Sequence, residues 1–242
     1  MKLKIKVCGM RDGENIRQVS ELGVEYIGMI FWDKSPRNVT MIPTHAGIIP
    51  DRAAEIARCT CNSPLNVGVF VDEMPQNIIT RVVNFHLDII QMHGHETPTL
   101  IRNLRATIDP DIRPGIQIWK AISIPTASVS HDHFANCNES KQTLNEVCKP
   151  YEDCVDAFVF DTQTPNAGGS GQHFDWSVLE AYDGEKPFLL SGGISPDDAE
   201  RISQFHHPKC IGIDLNSRFE TEPGIKDVDA LRKFIDQLNK TA

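Results

Sequence analysis

What most constrains this chain is a repeat of pattern without a repeat of sequence: eight short apolar runs, each followed by a stretch with helical spacing. The runs fall at residues 3–8, 26–31, 66–71, 89–93, 117–122, 157–161, 188–191 and 211–215. Each is short and nearly continuous in apolar character, as expected of strands buried on both faces of a parallel sheet. Helical segments are expected at 13–22, 51–57, 75–85, 97–108, 139–147, 175–182, 197–205 and 228–238. Thr97-Pro98 and Ser195-Pro196-Asp197 are helix-start signals with proline in the first turn. Eight such units predict an α/β chain closed into a single-domain (β/α)8 barrel, the TIM-barrel architecture, over residues 1–242. An open doubly wound sheet usually has fewer strands and a Gly-rich dinucleotide turn after the first. Here that turn reads Cys8-Gly9-Met10.

Two connections exceed what a barrel needs. Residues 32–64 are expected to hold an extended βα loop around Met41-Ile42-Pro43-Thr44, and residues 124–150 a polar excursion containing His131-Asp132-His133. The chain length of 242 residues matches the roughly 250 of such barrels. A net charge of −9 without a run of Lys or Arg argues against nucleic acid as partner. Small phosphates stay open, because a local group of backbone amides binds them without global positive charge. Residues 1–7 alternate lysine with apolar side chains, which is a strand pattern, not a signal-peptide core. No stretch approaches the roughly 18 apolar residues of a membrane helix. Seven cysteines, an odd count, are expected to be reduced thiols in a cytoplasm.

Chemistry is expected at the C-terminal ends of the strands, where barrel enzymes carry their catalytic groups. Asp161 closes the sixth run and leads into Thr162-Gln163-Thr164-Pro165-Asn166-Ala167-Gly168-Gly169-Ser170-Gly171, with Asp175 as the expected cap of the next helix. Cys8 closes the first run. It is either a small buried hydrophobe or, with its pKa lowered by cations or helix N-termini, a base or nucleophile. With Asp161 it makes a pair of unlike intrinsic pKa, suited to proton transfer. The seventh run ends in Ser191-Gly192-Gly193 and the eighth in Asp214-Leu215-Asn216-Ser217-Arg218, the two loops with which such barrels commonly hold phosphate. Arg37, past the second run, is either a carboxylate fork or a solvated loop residue. His93, at the end of the fourth, is placed to line the pocket. Cys59-Thr60-Cys61 and the paired histidines lack the spacing and shared face of a metal site, so no metal is expected.

Lys6-Val7-Cys8-Gly9-Met10, Ser35-Pro36-Arg37, Val67-Gly68-Val69-Phe70-Val71, Gln91-Met92-His93-Gly94 and segment 161–176 together resemble the phosphoribosylanthranilate isomerase family. The likeness continues through Leu190-Ser191-Gly192-Gly193-Ile194, Gly212-Ile213-Asp214-Leu215-Asn216-Ser217 and Pro223-Gly224-Ile225-Lys226-Asp227, so it spans nearly the whole chain. The resemblance implies a cofactor-free step of tryptophan biosynthesis on a small phosphorylated substrate, by a monomer or homodimer. N-(5-phosphoribosyl)anthranilate would undergo an Amadori rearrangement to 1-(2-carboxyphenylamino)-1-deoxyribulose 5-phosphate. It further implies Asp161 as general acid, Cys8 as general base, and Arg37 facing the anthranilate carboxylate. Gly192, Gly193, Asn216 and Ser217 would cradle the phosphate, with His93 and Asp214 also on the substrate. The family usually has Gly where this chain has Arg218, a side chain able to crowd the phosphate or to add a cation to it. Indole-glycerol-phosphate synthase would need a catalytic lysine and an N-terminal extension, and the related histidine-pathway isomerase an aspartate in place of Cys8. A catalytically silent barrel would be expected to lack the acid or the base.

Overall fold

Alternation within the apolar runs decides which side chains look into the barrel. The computed structural model describes residues 3–44, 47–50, 64–124, 143–162 and 176–241. In β1 (Lys4–Cys8), Ile5 and Val7 turn outward into the main core. Lys6 and Cys8, two residues apart, therefore share the inner face. The other barrel strands are β2 (Tyr26–Phe31), β3 (Leu65–Phe70), β4 (Ile89–Met92), β5 (Gln117–Ile124), β6 (Ala157–Thr162), β7 (Phe188–Ser191) and β8 (Cys210–Leu215). All neighbours are parallel, and β1 pairs with β2 on one side and β8 on the other, closing the predicted barrel.

Its lower interior is filled, not hollow. Tyr26, Val67, Ile89, Trp119, Ala121, Ala157, Val159 and Leu189 form a buried cluster inside the strands, with the Tyr26 and Trp119 rings edge to face at 5.0 Å. The reverse faces pack under helices α1 (Gly13–Ser20), α2 (Pro75–Asn84), α3 (Pro98–Ile108), α4 (Leu144–Cys148), α5 (Ala199–Gln204) and α6 (Val228–Thr241). In α6 the buried Leu231, Phe234, Ile235 and Leu238 follow the three- and four-residue spacing of one helical face. Thr97 caps α3, as its sequence signal predicts.

Three expectations change. Residues 176–181 form a 3₁₀ helix where an α-helix is predicted over 175–182. Trp176 and Leu179 are its buried side chains, with Tyr182 buried just past its end, and three residues per turn stacks positions spaced by three in one line. The helix predicted at 197–205 likewise opens with a 3₁₀ turn, Pro196–Asp198, under a Ser195 capping box. The loop expected after β2 contains an antiparallel pair, Met41–Thr44 with Gly47–Pro50. The helix predicted at 51–57 lies outside the described residues, as do residues 125–142 of the excursion expected over 124–150.

The loop leaving β4 is tied down by a buried ion pair. Lys120, on the outer face of β5, donates to Gly94 O at 2.7 Å and to Glu96 Oε2 at 3.2 Å. Glu96 also accepts the backbone amides of Asp72 and Gly94 at 3.0 Å, and both charged side chains are almost wholly buried. Removing one member strands the other without a partner. Glu96→Ala is expected to destabilise the protein by about 3–5 kcal/mol in urea unfolding. A loss below about 1 kcal/mol would show that the pair does not hold this loop.

Candidate active site

A cavity of about 270 Å³ opens at the C-terminal mouth of the barrel, and Cys8 and Asp161 both line it. Of the other predicted residues, His93, Gly192, Gly193, Asp214, Asn216, Ser217 and Arg218 also reach it. Arg37 does not. It stands behind Gly9, where an added Cβ would come within 2.6 Å of both Arg37 Cδ and Asn216 Oδ1. Gly9 also has φ +78°, so close packing and backbone conformation both require glycine there. The consecutive left-handed residues Gly192 (φ 95°) and Gly193 (φ 67°) likewise leave no Cβ between the turn after β7 and the cavity. Segment 163–175, with its glycines and the expected cap Asp175, lies outside the described residues.

Asp161, next to last in β6, lies opposite Ser191 of β7, and its Oδ2 lies 3.2 Å from His93 Nε2. On the other side of the ring, Gln91 Nε2 lies 3.4 Å from His93 Nδ1. An amide nitrogen only donates, so with Gln91 so oriented Nδ1 accepts and Nε2 carries the hydrogen that points at Asp161. Gln91 is nearly inaccessible, and its alternation with His93 on the strand leaving the core was the sequence signal for this relay. His93 was legible as a pocket residue; Gln91 as its support was not.

Charge converges on Cys8 from several elements. Lys6, fully buried one step below it on β1, pairs with Asp214 Oδ2 at 2.9 Å and shares the inner face with Cys8. Burial by itself would lower the Lys6 pKa; Asp214 and Cys8 outweigh it and raise it, so the ammonium persists. From the hairpin of Glu220–Glu222 and Ile225–Lys226, Lys226 Nζ reaches Asn216 Oδ1 at 2.9 Å and Glu220 Oε1 at 2.5 Å. Glu220 also takes a forked pair from Arg37, with Nε at 2.8 Å and Nη2 at 2.6 Å. Burial pushes Glu220 up, but the bonds from Arg37 and Lys226 outweigh it and leave its pKa lowered.

The surroundings of the thiol act on it in opposite directions. Burial raises the Cys8 pKa, and Lys6 and Lys226 pull it back only in part against Asp214. The sign follows: a raised thiol pKa means less thiolate at neutral pH than an unburied cysteine has, with ionisation delayed to higher pH.

Fold and cavity together define a barrel enzyme, with a thiol, a carboxylate–imidazole pair and a glycine turn gathered at one strand-end mouth. The model of the N-(5′-phosphoribosyl)anthranilate isomerase family matches residues 5–237. The isomerase of Parabacteroides distasonis is 42% identical over 97% of this chain and 92% of its own. That of Phocaeicola vulgatus is 39% identical over 98% of each. The crystal structure of phosphoribosyl anthranilate isomerase from Thermotoga maritima superimposes with a TM-score of 0.74 at 26% identity, over 98% of this chain and 99% of that one. The chain belongs to the N-(5′-phosphoribosyl)anthranilate isomerase family, and is an isomerase.

In the free protein, alkylation of Cys8 by iodoacetamide, followed on its own peptide by mass spectrometry, is expected to keep accelerating above the pH at which a model cysteine peptide levels off. Levelling off at or below that pH would contradict the raised thiol.

Proposed function

We propose that this chain, as one barrel domain, converts N-(5-phosphoribosyl)anthranilate to 1-(2-carboxyphenylamino)-1-deoxyribulose 5-phosphate by acid–base catalysis from Asp161 and Cys8. The observation that carries the reading is their presence in one cavity beneath the turns after β7 and β8. Asp161 delivers its proton to the furanose ring oxygen as the C1′–O bond breaks, giving an open-chain Schiff base. The His93 Nε2–H is aimed at the same carboxylate and orients it. Cys8, as thiolate, then removes the proton from C2′, and the electron pair moves to neutralise the iminium nitrogen. The resulting enolamine takes a proton at C1′ and gives up the proton of its C2′ hydroxyl, becoming the ketone. Substrate and product have the same atoms and oxidation level overall, so the rearrangement needs no redox partner.

Binding is divided between the two ends of the substrate. The phosphate is assigned to the backbone around Gly192, Gly193, Asn216 and Ser217, with exposed Arg218 adding a cation at the rim. Asp214 reaches the same cavity from β8 and is assigned to the sugar. Arg37 binds Glu220 through Nε and Nη2, so the anthranilate carboxylate is assigned to its Nη1 edge. The Thermotoga maritima isomerase is described as dimeric, and a homodimer is one of the two assemblies this reading allows, beside a monomer.

The test follows fluorescence of freshly generated phosphoribosylanthranilate, with a downstream synthase in excess. Native protein is expected to consume the signal, and Cys8→Ser and Asp161→Asn each to lower turnover by about 10²–10⁴-fold. Either variant retaining native turnover would remove that residue from its role. Arg218→Ala is expected to raise KM several-fold while leaving kcat nearly unchanged; a lowered KM would show that the arginine crowds the phosphate.

A further inference from the structure

We propose that the buried Lys6–Asp214 ion pair is a positioning element for Cys8, with Lys6 as the counter-ion of its thiolate and Asp214 as the group that limits that effect. The inference rests on Cys8 being the base in the proposed reaction, and it extends that reading to two residues beneath the site.

Lys6 and Cys8 project from the same face of β1, and Lys6 faces Asp214 in the register of β1 with β8. The lysine side chain has no exposed surface, so its charge cannot be solvated by bulk water and acts at short range. Its ammonium stands beside two groups of opposite tendency, the Asp214 carboxylate at 2.9 Å and, one step up the same inner face, the Cys8 thiol. Of the two, only the thiol changes charge in the proposed reaction. Asp214 is further held by the Ser191 hydroxyl at 3.3 Å, while its Oδ1, buried at the cavity wall, has no hydrogen-bond partner. An ion pair whose role was packing would be satisfied throughout, and replacement of such pairs by apolar side chains is often neutral or stabilising. Here one carboxylate oxygen is buried without a partner, on a residue that lines the cavity. The pair is therefore arranged for the site above it.

The other charged groups facing Cys8 are Lys226 and Arg37, both bonded to Glu220, and across the cavity the Asp161–His93 pair. Lys226 and Arg37 already share one carboxylate. Lys6 is the buried cation on Cys8's own strand and inner face. With Lys6 present, burial still raises the thiol, so its loss is expected to carry ionisation further from neutral pH.

The experiment measures Cys8 alkylation by iodoacetamide at pH 8 in the full chain without substrate, read on the Cys8 peptide. Cys148 and Cys210, pushed by burial to about 12 and about 11, serve as slow internal references. Lys6→Met is expected to slow the reaction about tenfold or more, one pKa unit being a tenfold change in thiolate, and Asp214→Asn to speed it. Lys6→Arg, which keeps the charge, is expected to stay nearer the native rate. A purely structural role predicts that Lys6→Met and Asp214→Asn move the rate in the same direction, and that result overturns the proposal. If Lys6→Met does not fold, Lys6→Gln and Asp214→Asn decide, and failure of their rates to move in opposite directions overturns it. Slowed alkylation in Lys6→Met with undiminished turnover would uphold the ion pair while removing Cys8 as base. Native alkylation in Lys6→Met, with Cys8→Ser inert, would do the reverse.

Discussion

An ammonium shut inside a barrel must be neutralised where it stands, and that constraint organises the upper interior of this protein. Lys6 meets Asp214 across the β1–β8 seam, Asp214 faces Ser191, and Ser191 faces Asp161. These four residues occupy one register row around the closing strands. A slip of one residue in β8 would bring Ile213 or Leu215 against Lys6 and leave a buried charge with no partner. The ion pair thus favours one strand register, and in that register the carboxylate of β6 and the thiol of β1 reach the same cavity.

The loops above this row follow a second rule: each is fastened by a carboxylate of the protein itself. Glu96 gathers Lys120 and two backbone amides below His93. Glu220 gathers Arg37 from the loop after β2 and Lys226 from the hairpin after β8. Both side chains are nearly buried, so these bonds are poorly screened by water. Shaped loops with little secondary structure of their own are held by a few charge-assisted bonds, where the strands below are held by their ladders.

The frame was legible in the sequence because it rests on short-range pattern. Apolar runs marked all eight barrel strands to within a few residues, and proline with a hydroxyl marked the start of α3. The 3₁₀ helix after β6 was misread because Trp176, Leu179 and Tyr182 signal a spacing of three only once their common burial is known. At the site, residues at strand ends were found by position, among them Cys8, His93 and Asp161. The groups that surround them were not: Glu220 acquires its meaning from Arg37, 183 positions away, and Gln91 only from the ring orientation of its near neighbour His93. Lys6 is the instructive case. The alternation of lysine in the first strand was visible and placed it on the Cys8 face, yet only barrel closure shows that this face is the inside.

That closure joins the two ends of the polypeptide. Lys6 and Asp214 are 208 positions apart, so the first strand leaves the ribosome long before the last. Until β8 docks, the lysine has no carboxylate and the cysteine has no cavity. A chain interrupted after β7 would carry the acid, the imidazole and the thiol, and still lack the surroundings in which they can act together. Such a product would be no fraction of an enzyme, and its open seam would expose β1 and β7 as unpaired strand edges. Synthesis of the final strand is therefore the event that both seals the sheet and assembles the chemistry.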